Sequence, residues 1–234
     1  MAQARRVGVP TPNVLGVGQV DHDGELRSFS ILRLVPGRSL DELACELPAS
    51  DLKRLVMDGG ELLARVHSIV PDRGIRHELE PPDERLVARA VGVAYQALGP
   101  AAAAVVERGA HLLGDELMTR PAPGLSLAHG DWLPKNLVID DGTIVSVIDW
   151  EFAGPASPAF DLARWEVSAG DRLRDRSDLL RRGYARVADP DAADTGWVSA
   201  FAIGWALEVL GWKNPASPAR LRRCVDVIAG YAGA

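Results

Sequence analysis

Lysine is almost missing from this chain, with Lys53, Lys135 and Lys213 the only three in 234 residues. Arginine carries nearly all of the positive charge, and 26 basic against 32 acidic side chains leave a formal net charge of -6. No Lys/Arg-dense stretch stands clear of acids, which argues against a nucleic-acid partner. Cysteine is as scarce: Cys45 and Cys224 are far apart in sequence and show no metal-ligand spacing. Two free thiols suit a reducing, cytoplasmic setting and speak against a disulfide scaffold. Long apolar runs are lacking too, and the start, MAQARRVGVPTP, has two arginines with no apolar signal-peptide core behind them. The expectation is a protein without export signal or membrane partner.

What remains is a globular composition, 47% hydrophobic and 25% charged, enough for one large or two small cores. Residues 13–20 and 26–35 are β-rich runs around the turn Asp21-His22-Asp23-Gly24, which reads as a hairpin stopped by Pro36-Gly37. From Ser39 to about Arg120 the apolar residues recur at helical steps. This predicts helices over 40–46 and 50–68, with Gly59-Gly60 a soft spot, and a helical layer from Glu84 to Met118 broken near Gly99-Pro100 and Gly114. Short strands follow at 125–128, 137–139 and 144–148, with Asp140-Asp141-Gly142 as a turn. Beyond Pro158 the pattern predicts helices over 159–169, 171–188, 195–212 and 217–232. Trp197, Phe201, Trp205, Val209 and Trp212 form an apolar stripe on the third of these, read as core, with the alternative that one or two tryptophans edge a ligand pocket beside Glu208.

The chemistry concentrates in LAHGDWLPKNLVIDDGTIVSVIDWE, residues 127–151, which contains His129, Asp131, Asn136 and Asp149. Phosphoryl transfer needs hard oxygen ligands for a divalent metal and a carboxylate beside the acceptor hydroxyl. A loop Asp followed five residues later by Asn, with a second Asp ending the next hairpin, supplies that set. With 5 His, 20 Asp and 3 Asn in the chain, a chance His-x-Asp-x4-Asn match is expected only about 0.005 times.

HGDWLPKN followed by VIDWE resembles the catalytic loop and metal motif of the aminoglycoside-phosphotransferase and choline-kinase-like superfamily, relatives of protein kinases. FSILRLVPGRSLDEL resembles that family's last N-lobe strand and hinge, LLARVHS its helix ending in Leu-His with Val66 for the Leu, and PAFDLARWE its Asp-Leu-Ala helix start. The resemblance spans residues 9 to about 166. It implies a protein-kinase-like α+β fold, with a remnant N-lobe hairpin in residues 1–37 and a mainly helical C-lobe in residues 38–234.

It also implies ATP (or GTP) and Mg2+ as cofactors and a small-molecule hydroxyl as acceptor. Asp131 would orient the acceptor hydroxyl and take its proton, while Asn136 and Asp149 would bind magnesium. The backbone around Leu32, Leu34 and Val35 would meet the base, Lys135 would reach a phosphate, and His129 and Asp161 would brace the loop. His67 reads as helix-end packing.

The family's glycine-rich turn and strand lysine are not found: all three lysines follow the hinge-like segment, and Gly8, Gly16 and Gly18 form no G-x-G-x-x-G. A gene start assigned too far downstream, a fragment, or a chain that no longer grips nucleotide would each account for this, and the intact downstream motifs favour the first. The rival readings are a non-catalytic pseudokinase-like binding protein and a metal-dependent hydrolase.

Overall fold

The computed structural model describes residues 1–71, 76–121, 123–188, 195–212 and 216–233, without the side chains of residues 171, 174 and 195. Pro190, Lys213 and Pro215 lie outside them. Turn chemistry sets the first element pair. Asp23 and Gly24 both take positive φ (56° and 81°), as a two-residue hairpin turn matched to strand twist requires, and Gly24 N–H donates to Asp21 Oδ1 at 2.9 Å. Strands β1 (Val14–His22) and β2 (Glu25–Leu32) therefore pair antiparallel as a two-stranded sheet of their own.

This hairpin is unusually bare. Val17 is 75% and Leu26 72% exposed, and no residue of β2 is buried. β2 ends at Leu32 rather than Val35; only the Arg33 N–H continues the ladder, to Asn13 O at 2.8 Å, and Leu34 is 90% exposed. A short helix, α1 (Ala2–Arg6), precedes it. Ala4 and Val9 join the main core, and Pro10 O accepts from Val147 N–H at 2.8 Å.

After Gly37, the two-residue strand β3 (Arg38–Ser39) leads into α2 (Leu40–Leu43). Ser39 and Glu42 cap α2 reciprocally, a capping box contributing about 1 kcal/mol. Helix α3 (Ala49–His67) buries Leu52, Leu55, Val56, Leu63 and Val66 on one face. Gly59 and Gly60 do not soften α3; a Cβ at Gly60 would overlap Leu180 O of the facing helix, so the glycine is there for close backbone approach.

Asp83 caps α4 (Glu84–Leu98) by accepting from Leu86 N–H at 2.6 Å, and Gly99-Pro100 separates it from α5 (Pro100–Thr119). The expected break at Gly114 is not there. Its surroundings are open, and the continuous helix absorbs a glycine that costs about 1 kcal/mol relative to alanine.

Strands β4 (Ser126–Ala128), β5 (Leu137–Asp140), β6 (Thr143–Val147) and β7 (Gly154–Ala156) make two further small antiparallel sheets, β3-β5-β6 and β4-β7. Asp141 and Gly142, both at positive φ, close the β5–β6 hairpin.

The C-terminal part is helical: α6 (Pro158–Ser168), α7 (Asp171–Arg174), α8 (Ser177–Tyr184), α9 (Thr195–Leu210) and α10 (Pro218–Ala232). The helix expected over 171–188 is two, because a turn at Asp175-Arg176 re-aims the chain so that Leu180, Gly183 and Tyr184 are buried. α9 carries more than a stripe. Val198, Ala202, Ile203, Ala206 and Leu207 are buried beside Trp197 and Phe201, as expected for a helix apolar all round. Trp212 lies past its end and is 39% exposed. Among the described residues, no helix is long and apolar enough to cross a membrane.

Candidate active site

Asp161 organises the site. It sits in the first turn of α6, fully buried, and accepts His129 N–H at 2.8 Å, Gly130 N–H at 2.9 Å and His67 Nε2–H at 3.1 Å. A carboxylate at that position only accepts, so His67 carries its proton on Nε2 and its Nδ1 takes the Tyr184 hydroxyl at 3.1 Å. Burial by itself would raise the Asp161 pKa, but His67, His129 and the loop amides outweigh it and hold the carboxyl below the usual range. His67 is therefore part of a buried polar bridge from α3 to the loop, more than helix-end packing.

The loop from Ala128 to Asn136 follows from that anchorage. Gly130 takes φ 86°, and a Cβ there would overlap Phe152 O, so only glycine serves. His129 is buried between the rings of Trp132 (5.5 Å) and Trp150 (4.6 Å). Its Nε2–H donates to Ile148 O at 2.9 Å and its Nδ1 accepts Asp131 N–H at 3.3 Å, which fixes one neutral tautomer. Burial pushes its pKa down, in keeping with that state.

Asp131, 4% exposed, has both oxygens engaged. Oδ1 accepts from Arg164 Nη2 at 2.8 Å; Oδ2 accepts from Lys135 Nζ at 2.8 Å and Asn136 Nδ2 at 3.1 Å. Burial would raise its pKa, but the Lys135 and Arg164 cations prevail and hold it low. Asn136 also donates to Asp131 O at 2.8 Å, so both of these bonds use its Nδ2 and neither uses its Oδ1.

Ile148 N–H donates to Asn136 O at 3.0 Å across the open end of the β5–β6 hairpin, so Asp149, the next residue, stands beside Asn136. Asp149 is half-buried and adopts φ 65°, a conformation sparsely used by non-glycine residues. An amide oxygen and a carboxylate are hard donors, and magnesium commonly takes one or two such groups with phosphate oxygens and water filling its octahedron. The pair fits that ion.

Of the residues expected from sequence, Asp131, Asn136, His129 and Asp161 are linked by these hydrogen bonds, and Asp149 follows the Ile148 that pairs with Asn136. Lys135 is on Asp131, with its side chain 55% exposed. Leu32, Leu34 and Val35 stand apart on the hairpin side, joined to the site through β3, whose Ser39 pairs with Val138 two residues past Asn136. Arg164 was missed, although its spacing of three from Asp161 puts both on neighbouring helical positions.

Beside Arg164 a cavity of about 330 Å³ is lined, among the described residues, by Phe160, Phe201, Trp205 and four acids, Glu78, Glu80, Asp83 and Glu208, the first of them paired with Arg76. Trp205 and Glu208 edge this pocket, Trp197, 7% exposed, lines a neighbouring one of about 410 Å³, and Val209, 1% exposed, is within the core.

Among the solved structures that share the fold, three illustrate the likeness, each under 25% identical. The GDP complex of aminoglycoside 2'-phosphotransferase-IIIa has TM-score 0.62 and 18% identity, covering 99% of this chain and 78% of that one. A thermostable mutant of aminoglycoside phosphotransferase APH(4)-Ia has TM-score 0.60 and 19% identity (97% and 79%). A choline/ethanolamine kinase family protein from Mesorhizobium loti has TM-score 0.59 and 21% identity (99% and 80%). No curated protein sequence matches the chain. The fold is protein-kinase-like, mixed α+β. The model of the phosphotransferase enzyme family matches residues 1–201, across the braced loop, the Asn136–Asp149 pair and α6 alike, and the chain belongs to that family.

Proposed function

We propose that this protein transfers the terminal phosphoryl group of ATP or GTP to a hydroxyl of a small molecule bound in the acidic cavity. The observation that supports the reading is a loop whose His129 and Gly130 amides rest on Asp161, in which Asn136 donates to Asp131 and takes the N–H of Ile148, the residue before Asp149. The acceptor oxygen attacks the phosphorus, the bond to the nucleoside diphosphate breaks, and the acceptor proton passes to Asp131. Magnesium, held by Asn136 and Asp149, would neutralise phosphate charge. Lys135 would turn from Asp131 to a phosphate oxygen, and the backbone at Leu32, Leu34 and Val35 would meet the base. In this reading residues 1–37 form the nucleotide side and residues 38–234 the acceptor side.

Related structures support the donor and acceptor classes. APH(4)-Ia was crystallised with ADP and hygromycin B, and with AMP-PNP and hygromycin B. Glu78 is paired with Arg76 and Asp83 caps α4, but the lining still holds four carboxylates, and that surplus of acid favours an acceptor bearing amines.

The second reading is a nucleotide-binding protein without turnover. ADP release from Mg-ATP, measured over a panel of aminoglycosides, amino alcohols and sugars, separates the two. Asp131→Ala and Asp149→Ala should each lower turnover at least about 1000-fold while the fold persists. Wild-type rates in either variant exclude the mechanism, and phosphate release that needs no acceptor points to a hydrolase.

A further inference from the structure

Arg164 lies within PAFDLARWE, where sequence assigned it no role, and it joins the Asp131 carboxylate to the wall of the cavity. Its Nη2 donates to Asp131 Oδ1 at 2.8 Å, while its guanidinium carbon lies 3.9 Å from the centre of the Trp205 ring and 5.7 Å from that of Phe160. Phe160, Arg164 and Ser168 follow each other at four-residue steps along α6, one stripe facing α9. Ser168 Oγ accepts from Trp205 Nε1–H at 2.9 Å and so fixes the ring, and Phe160 packs edge-on against Phe201 at 5.6 Å. Phe160, Phe201 and Trp205 are also three walls of the 330 Å³ cavity.

An exposed ion pair would constrain little. Here the side chains are only 14% and 6% exposed, so the pair is directional. Stacking and donating at once is something a planar guanidinium does and an ammonium does not. The Nε–H is buried without a partner, so the group is held by its ring stack and its one carboxylate contact.

We propose that Arg164 is a positioning residue: clamped between Phe160 and Trp205, it fixes the rotamer of Asp131 and couples occupation of the cavity to the aim of that carboxylate. The inference rests on the kinase reading of Asp131. A ligand leaning on Trp205 or Phe160 shifts the stack that holds Arg164, so it acts on the carboxylate without touching it. Through-ring coupling of this kind makes turnover depend on how the acceptor fills the pocket as well as on how tightly it binds.

The test uses the full chain with Mg-ATP, ADP release as the readout, and hygromycin B or water as acceptor, on wild type, Asp131→Asn, Arg164→Ala, Arg164→Lys and Trp205→Leu. Asp131→Asn should abolish release. Arg164→Ala should lower kcat about 10- to 100-fold, the scale of a small misplacement of a reacting group, with KM for ATP within about twofold. Millimolar guanidinium ion, entering the vacated slot between the rings, should restore part of the Arg164→Ala rate and none of the Asp131→Asn rate.

Arg164→Lys, which keeps the charge and much of the packing, should fold as wild type and still fall short in kcat. Trp205→Leu should slow turnover, and in the Arg164→Ala/Trp205→Leu double variant the two losses should not add. Wild-type kcat in both Arg164 variants, with Asp131→Asn inactive, overturns this proposal and leaves the kinase reading standing. A loss in Arg164→Ala that guanidinium does not restore, matched by loss of folded protein, overturns it as well. If wild type releases ADP no faster than Asp131→Asn, the kinase reading fails and the proposal falls with it.

Discussion

Replacing Asp161 by Asn keeps the shape of the side chain and removes its charge, which isolates what the carboxylate does. Three donors converge on it, His129 N–H, Gly130 N–H and His67 Nε2–H, at 2.8, 2.9 and 3.1 Å. An amide offers one oxygen and turns its NH2 toward one of those donors, so at least one buried N–H is left unpaired. Breaking a buried charged contact of this type costs about 3–5 kcal/mol, against a total stability of about 5–15 kcal/mol for a domain.

With a urea slope of about 2.5 kcal/mol/M that corresponds to a midpoint lower by about 1.2–2 M. The pH dependence has a definite sign. The folded pKa is lowered, so the carboxylate stabilises the fold above the unfolded value and its contribution fades as acid protonates it. The gap between wild type and Asp161→Asn should be full at pH 7 and narrow only below about pH 4. Urea melts followed by tryptophan fluorescence at pH 7, 5 and 3.5 measure this. A pH 7 midpoint within about 0.3 M of wild type would show that Asp161 does not bear the loop.

Glycine substitutions separate close contact from mere helix cost. Gly183→Ala puts a Cβ into Met57 O and should lower the melting temperature by about 3–10 °C, whereas Gly92→Ala, in open space on α4, should raise stability by about 0.5–1 kcal/mol; calorimetry on both gives the answer, and equal shifts would refute the packing account. Thiol titration with a disulfide reagent at pH 8 should find one fast group. Cys45 is exposed, while burial pushes Cys224 up to about 11 and encloses it, so Cys224 should react only on denaturation.

Local chemistry made much of this fold legible. Asp23-Gly24 and Asp141-Gly142 mark both hairpins because two-residue turns demand positive φ. The loop from His129 to Asn136 and the Asp149 that follows β6 were readable because their spacing is short and set by one strand pair. Features settled by distant contacts were hidden. β7 is Gly-Pro-Ala, poor strand material, and exists because β4 lies beside it. His67 and Tyr184 meet across 117 residues, and Arg164 reaches Asp131 across 33, and neither separation leaves a periodic trace. Gly59-Gly60 looked like weakness because propensity was weighed without the neighbouring helix.

That crossing of α3 and α8 has a mechanical consequence. At Gly60 and Gly183 main chain rests directly on main chain, so the separation of the two helices is set by the thickness of the peptide itself, with no flexible side chain between them. His67 and Tyr184, at the ends of those helices, inherit a bearing without play. Sequence drift elsewhere on either helix can therefore alter the surface while the hydrogen-bond distance between this pair stays put.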